Sequence, residues 1–192
     1  MTPRTIERLV GEEGLEVLSA ELNDINGGSI RLFIGHKGRH ERSAEQSQAL
    51  QDLRVREFEM GLDSPEPYET FRRNVERVRE DLIVTCRQIR DEGKTIHVYG
   101  ASTKGNTILQ YAGIDSSIVA AAADRNPDKW GSETIGTKIP IISEEESRAM
   151  NPDYYLALPW HFLDEFVERE RDFRDRGGKF IVPLPEVRVL GG

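Results

Sequence analysis

The chain has 192 residues, of which 37% are hydrophobic and 31% are charged, a composition typical of a water-facing protein with one modest core. Its 34 acidic and 26 basic residues give a net charge of −8, which argues against binding to the phosphate backbone of nucleic acids. No stretch approaches the ~18 apolar residues of a transmembrane helix, and the first residues lack the apolar region of a signal peptide, so we expect a cytoplasmic protein without membrane contact.

The amino-terminal residues predict a short helix that ends at Gly14 and then a β-hairpin. Residues 15–23 and 29–36 alternate in polarity as strands do. The turn between them, at 24–28, contains Asn-Gly, which favours the positive φ angles of tight hairpin turns. A polar linker follows, and we take residues 1–42 as one region of the chain.

Two helices are predicted next. Ser43 can cap a helix that runs to about Gly61, and two prolines then break the chain. A second helix is predicted over residues 66–92. Its apolar stripe consists of Tyr68, Phe71, Val75, Val78, Leu82, Cys86 and Ile89. We expect this stripe to pack in a core, with Cys86 unreactive there; a coiled-coil dimer seam is the alternative.

Strands and helices alternate from Lys94 onwards. Strands are predicted at 95–100, 117–124, 138–142, 153–160 and 179–185, and helices at 106–113, 143–150 and 161–177. This alternation favours an α/β fold with a mostly parallel sheet and helices on both faces. His97 falls inside a strand and is expected in the core. The histidines and the lone cysteine form no metal-binding motif, so no metal site is expected.

The loop that joins the first of these strands to its helix is the best candidate for a ligand site. It comprises Gly100, Ala101, Ser102, Thr103, Lys104, Gly105, Asn106 and Thr107. The two glycines permit a tight turn, and the N–H groups at the start of the helix, three hydroxyls and one ammonium would favour a phosphate. The alternative is a purely structural turn whose glycines serve packing.

Two familiar nucleotide motifs do not fit this loop. A P-loop requires lysine where the sequence has Asn106, and Lys104 is expected two residues early, in the loop before the helix. The GxGxxG fingerprint of dinucleotide-binding proteins is also absent. These departures argue strongly against a P-loop NTPase and also disfavour a dinucleotide site.

Three further residues are candidates at the same edge of the sheet. Asp124 ends the next strand, where an acid can accept hydrogen bonds from ribose hydroxyls; alternatively it only ends the strand. Trp160 and His161 follow the strand predicted at 153–160. Trp160 could stack on a base or cover the pocket, and His161 could contact a phosphate or act as an acid–base group. Alternatively, Trp160 is a core anchor and His161 lies at a helix start.

Five segments together resemble the C-terminal region of SAM-dependent sugar C-methyltransferases, which act on nucleotide-linked keto-deoxysugars. They are GGSIR (27–31), HVYGASTKGNTILQYAG (97–113), AAADRNPDKWG (121–131), YLALPWHF (155–162) and GGKFIVPLPEV (177–187). The resemblance implies a Rossmann-like nucleotide-sugar-binding domain over 43–192, with 1–42 as the tail of a SAM-binding region and a linker. It places the sugar nucleotide at the loop, Asp124, Trp160 and His161.

The resemblance also implies what this chain lacks. Family members resemble one another in having a zinc-binding module and a central SAM-binding domain, and neither pattern is present here. We therefore expect a SAM-binding domain in cis or in trans as partner, no cofactor bound by this chain, and no methyl transfer by the chain alone. Two alternatives stay open: an assembly module, which could form a homodimer, and a free-standing dinucleotide sensor.

Overall fold

The computed structural model describes residues 2–25 and 28–191. Asn26 and Gly27, the centre of the predicted hairpin turn, lie outside these ranges. By their internal contacts the residues form two compact units, Met1–Arg72 and Arg73–Gly192.

The first unit contains a β-hairpin and helices. Its elements are α1 (Pro3–Glu12), β1 (Leu15–Asn23), β2 (Ser29–His36) and α2 (Ala44–Glu59). Strands β1 and β2 pair in antiparallel fashion, which confirms the predicted hairpin. Ser43 caps α2 as predicted: its side chain accepts from the Gln46 N–H, and the Gln46 side chain accepts from the Ser43 N–H. The domain limit predicted after residue 42 stays a prediction.

The long helix α3 (Glu66–Asp91) has a stripe with two different halves. Leu82, Cys86 and Ile89 are buried, so the core interpretation holds for the carboxyl half. In the amino half, Tyr68 is 54% exposed and Phe71 is 69% exposed. The prediction that the whole stripe is buried was therefore wrong for its first two turns.

The second unit is built around a six-stranded sheet. Its elements after α3 are β3 (Ile96–Tyr99), α4 (Thr103–Ala112), β4 (Ala121–Asp124), β5 (Ile141–Ser143), α5 (Glu144–Ala149), β6 (Tyr154–Ala157), α6 (Leu163–Arg169), α7 (Arg171–Asp175), β7 (Lys179–Val182) and β8 (Arg188–Gly191). The strand order is β5-β4-β3-β6-β7-β8, and only β8 runs antiparallel to its neighbour among these strands. The predicted mostly parallel α/β fold is confirmed.

Alternate residues of the central strands lie in two separate hydrophobic cores, one on each face of the sheet. Ile96 and Val98 of β3 lie in an aliphatic core with α3 and α4. Tyr99, the last residue of β3, belongs instead to an aromatic core with Phe166 of α6 and Phe173 of α7. Because successive side chains of a strand point to opposite faces, helices cover both faces of the sheet.

Several predicted elements have different limits in the structure. The strand predicted at 117–124 begins only at β4, because Asp115 accepts hydrogen bonds from the N–H and hydroxyl of Ser117 and forms a turn. The helix predicted at 161–177 starts as a 3₁₀ turn and then breaks at Glu170 between α6 and α7. Strand β8 was not predicted.

The sheet topology locates a crevice at one edge. The chain leaves β3 in one direction towards β4 and β5, and returns to the other side of β3 with β6. Loops after β3 and β6 therefore diverge at the carboxyl ends of these strands, which is where open α/β sheets hold ligands. No helix among the described residues combines the length and apolar character needed to cross a membrane.

Candidate functional site

The loop after β3 makes a tight turn into α4. Gly100 has a φ angle of 87°, which favours glycine, and its carbonyl accepts from the Ser102 N–H at 3.0 Å. The Ser102 side chain caps α4 by accepting from the Gly105 N–H at 3.1 Å. The helix thus begins at Thr103, and Lys104 lies in its first turn rather than in the loop as predicted.

Both glycines of the loop allow the chain segment after β6 to come close. A Cβ on Gly100 would lie 2.7 Å from Cγ of Pro159, and a Cβ on Gly105 would lie 2.7 Å from Cβ of Leu158. These contacts are shorter than any side chain could tolerate without movement. Glycine at these two positions is therefore needed for the crevice between the loops to have its present shape.

Asp124 holds the loop after β3 through its own hydrogen bonds. Its Oδ2 accepts from the Ala101 N–H at 2.9 Å, and its Oδ1 accepts from the Asn126 N–H at 2.8 Å. Lys129 donates from Nζ to Oδ2 of Asp124 and to the Ala101 carbonyl, both at 2.9 Å. Three of the roughly four acceptor positions of this carboxylate are thus used within the protein.

Lys129 and Trp130 contribute to the site although they were not among the predicted site residues. The indole Nε1 of Trp130 donates to the Asp124 carbonyl at 2.8 Å, so it fixes the backbone at the end of β4. Both residues belong to the polar segment that follows this strand. The side chains of Lys129 and Trp130 fold back onto the end of β4. The spacing of residues in the sequence does not predict these contacts.

Replacing Asp124 by asparagine is expected to lower the free energy of unfolding by about 1–3 kcal/mol. The asparagine side chain cannot form the ion pair with Lys129. Its NH₂ group would also face a backbone N–H that donates to the carboxylate in wild type, either that of Ala101 or that of Asn126. Urea denaturation measures the change. Asp128→Asn, an exposed position in the same segment, is the matched control; equal losses in both variants would contradict the holding role of Asp124.

Trp160 and His161 lie in a 3₁₀ turn just after β6, at the same edge of the sheet as Gly100 and Asp124. Trp160 is half-buried and His161 is exposed, and their rings meet edge-to-face at 5.7 Å between centroids. His161 also lies 4.4 Å from the Phe162 ring. The topology thus brings the loop after β3, Asp124, Trp160 and His161 to one edge of the sheet. Thr107 lies further along α4, where its hydroxyl donates to the Thr103 carbonyl.

The remaining chemically notable side chains belong to the interior. Cys86 is fully buried, and burial raises the pKa of its thiol to about 12, which suits an unreactive core residue. His97 is also buried as predicted; burial lowers its pKa to about 4, and its Nδ1 lies 2.8 Å from the Ser147 hydroxyl. Within residues 2–25 and 28–191, no cluster of three or more His, Cys, Asp or Glu side chains could hold a metal ion.

A charged network lies beneath the loop, on the aromatic face of the sheet. Tyr99, which precedes Gly100, donates to Oε1 of Glu170 at 2.7 Å, and Arg148 donates to both carboxylate oxygens of Glu170. Burial raises the pKa of Glu170, but the hydrogen bonds from Arg148 and Tyr99 outweigh burial and hold it below its ordinary value. Glu170 is therefore a buried carboxylate that stays ionised at neutral pH.

The exposed part of the site has the opposite character. The amino end of α4 carries the positive end of the helix dipole, and the side chains of Thr103 and Lys104 are exposed in its first turn. This arrangement is suited to an anionic group and is unfavourable for a cation.

Comparison with known proteins gives the family. A profile of the C-methyltransferase C-terminal domain matches residues 24–185. The C-methyltransferase NovU of Streptomyces niveus is 34% identical over 182 residues, which cover 95% of this chain but 43% of NovU. The chain thus spans less than half the length of that relative. Since the match to the family covers most of its residues, this chain belongs to the C-methyltransferase C-terminal domain family.

Proposed function

We propose that this chain is the nucleotide-sugar-holding domain of a SAM-dependent sugar C-methyltransferase. In this proposal the domain is Rossmann-like, and the loop after β3 with the first turn of α4 binds the diphosphate of the substrate. The observation that carries the proposal is the tight turn at Gly100, which leads directly into the capped amino end of α4. Family membership supports the link to methyl transfer.

The division of labour has a physical reason. A diphosphate lies far from the reacting carbon of the sugar, so its binding energy can position that carbon without taking part in the reaction. Lys104 and the N–H groups of α4 contribute this anchoring. Asp124 and Lys129 contribute indirectly, because they fix the backbone of the loop that contacts the ligand.

SAM does not fit this site. Its sulfonium group is a cation, and the site presents Lys104 and the positive end of a helix dipole. We propose that SAM binds to a separate domain, in cis or in trans, and that this chain alone transfers no methyl group.

The hairpin of the first unit is the proposed contact for that partner. Leu22 is 55% exposed, and Ile30, Phe33 and Ile34 are also exposed on the two strands. Among the described residues of the unit, four are buried in its hydrophobic core: Val17, Ala20, Leu50 and Leu53. A core of this size stabilises a domain only marginally, so further apolar burial against a partner is favourable. An unpaired strand edge adds hydrogen-bonding groups to this surface.

A thermal-unfolding panel tests the proposal with TDP, TDP-glucose, UDP-glucose, NAD and SAM. A ligand at 100 times its Kd adds about 2.7 kcal/mol, or roughly 5–10 °C for a protein of this size. We expect a shift with the sugar nucleotides and none with SAM. A shift with NAD alone would favour a dinucleotide sensor, a shift with SAM would refute the site assignment, and no shift would favour an interaction module.

Lys104→Ala is expected to weaken TDP binding by about 1–3 kcal/mol, because a charge-assisted contact to the diphosphate is lost. Isothermal titration calorimetry measures the Kd. Lys179→Ala removes the same charge at the start of β7, on the opposite edge of the sheet, and serves as the matched control. Equal affinities of wild type and the Lys104 variant would remove this residue from the site.

A further inference from the structure

Asp124, the acid expected to meet ribose hydroxyls, has little capacity left for a ligand. Its carboxylate accepts from the Ala101 N–H, the Asn126 N–H and Nζ of Lys129. Its side chain is only 11% exposed, so the protein itself covers most of the carboxylate. A ligand with hydroxyl groups would therefore need another acceptor at this edge of the sheet.

A cavity of about 190 Å³ adjoins the loop after β3. Residues 101–103 of that loop line it together with residues 133–135, which belong to the segment between β4 and β5. A ligand whose diphosphate lies at the loop can therefore extend towards residues 133–135.

Glu133 is the charged residue in the lining of this cavity. Its side chain is 54% exposed, and its ion-pair partner in the described chain, Nζ of Lys138, lies 3.5 Å away. The Lys138 side chain is itself 74% exposed. Because an exposed pair at this distance is weak, the carboxylate of Glu133 keeps most of its capacity to accept hydrogen bonds.

The backbone that carries Glu133 is fixed by hydrogen bonds of its neighbours. The Thr134 N–H donates to the Ile139 carbonyl at 2.9 Å, and the Thr134 hydroxyl accepts from the Ile139 N–H at 2.9 Å. Nε2 of Gln110 donates to the Ile135 carbonyl at 2.7 Å, which connects this segment to α4. A segment that is already ordered loses little conformational freedom when a ligand binds.

The chemistry of the lining favours a ring with hydroxyl groups. Leu109, Ile141 and Leu158 are apolar residues of the lining and suit the C–H face of such a ring. A carboxylate only accepts hydrogen bonds and repels phosphate, so Glu133 can bind a hydroxyl but not a phosphate group.

On this basis we infer that Glu133 is a specificity-determining residue, whose carboxylate accepts a hydrogen bond from a hydroxyl of the ligand's ribose or of its sugar. The inference rests on the proposed function, since it requires the diphosphate at the loop after β3. It assigns to Glu133 the contact with hydroxyls that the sequence suggested for Asp124, whose carboxylate instead holds the loop.

Calorimetric titration of the full chain with two pairs of ligands tests this inference. UDP and 2′-deoxy-UDP differ by the ribose 2′-hydroxyl. TDP-glucose is compared with the cyclohexyl ester of TDP, which has a six-membered ring without hydroxyls. We expect wild type to bind the hydroxylated member of one pair about tenfold more tightly, because it gains a hydrogen bond to a charged acceptor. Glu133→Gln should reduce this ratio to about threefold or less, since a neutral acceptor is weaker. The pair that responds identifies the hydroxyl as that of the ribose or that of the sugar.

Pyrophosphate separates recognition from structure. Glu133→Gln removes a negative charge near the loop, so its affinity for pyrophosphate should equal or exceed that of wild type. Glu80→Gln removes the same charge at an exposed position of α3, outside the cavity, and should keep the wild-type ratios.

Three results would overturn the inference. They are equal ratios in wild type and Glu133→Gln, a wild type that distinguishes the members of neither pair, and a loss of pyrophosphate affinity in Glu133→Gln, which would indicate a structural role. Wild type that binds neither pyrophosphate nor any of the nucleotides would refute the proposed function, and the inference with it.

Discussion

Replacing Arg148 by methionine is expected to lower the free energy of unfolding by about 2–4 kcal/mol at pH 7. Glu170 is only 2% exposed, and Arg148 donates to its Oε2 from Nε at 3.0 Å and to its Oε1 from Nη2 at 2.5 Å. Without the guanidinium of Arg148, the buried carboxylate keeps one neutral donor, Tyr99, and the charge of Arg169 without a hydrogen bond from it. The effect stays below that of a fully buried pair because the Arg148 side chain is 38% exposed to water.

The loss should depend on pH in a defined direction. In wild type the lowered pKa of Glu170 contributes stability above the pKa of the unfolded chain, about 4.3, and this contribution is lost as the pH falls through the folded value. In the variant, the pKa of Glu170 is expected to be higher than in wild type, because the hydrogen bonds and the charge of Arg148 are gone, so the folded variant should take up its proton at a higher pH. The difference between the two proteins should therefore be largest near neutral pH and should shrink on acidification.

Urea denaturation between pH 4 and pH 8 measures both quantities. Arg171→Met is the matched control, because Arg171 pairs with Glu168 at 2.8 Å on the surface, where both side chains are mostly exposed. Adding Glu170→Gln to Arg148→Met should restore part of the stability, since it removes the unpaired charge. A loss that stays constant from pH 8 to pH 4 would show that Glu170 is not the group involved.

Local patterns in the sequence were sufficient for the elements that depend on local interactions. The Asn-Gly turn and alternating polarity predicted the hairpin, and Ser43 was placed correctly as a helix cap, with a reciprocal hydrogen bond to the third helical residue. The alternation of strands and helices was sufficient for a mostly parallel sheet, because parallel strands require crossover connections. Each of these features is determined mainly by residues that are close together in the sequence.

Two of the errors arose where a distant partner decides the local structure. The break at Glu170 follows from a carboxylate drawn into the interior by Arg148 and Tyr99, which are 22 and 71 residues away in the sequence. Strand β8 is short, and its pairing with β7 rather than its own composition makes it a strand. Periodicity within a segment carries no information about such partners.

The candidate site shows the same division. The loop at Gly100 and the end of β4 at Asp124 were predicted from glycine spacing and strand limits, and the sheet brings them to one edge. That Asp124 binds the Ala101 N–H, and that Lys129 connects both residues, could not be predicted because these contacts depend on how the polar segment folds back.

Gly100→Ala is the second large effect, an expected loss of about 2–4 kcal/mol in the free energy of unfolding. Two costs combine at this position. The φ angle of 87° is one that residues with a Cβ rarely adopt, and the new Cβ would lie 2.7 Å from Cγ and 2.9 Å from Cδ of Pro159. The proline ring is rigid, so relief requires movement of the backbone in the loop after β3 or after β6.

Gly177→Ala separates the two costs. Gly177 has a φ angle of 90°, but a Cβ there would meet no atom within 4 Å. This variant should lose only the conformational part, about 1–2 kcal/mol, and the excess loss in Gly100→Ala measures the contact with Pro159. Urea denaturation of both variants with wild type gives these values. Because the loop after β3 or the segment after β6 must move, TDP binding should be lost in Gly100→Ala and retained in Gly177→Ala. Equal stabilities and unchanged TDP binding in both variants would contradict this prediction. They would show that the segment after β6 moves at little cost in free energy, and that the crevice does not depend on glycine at position 100.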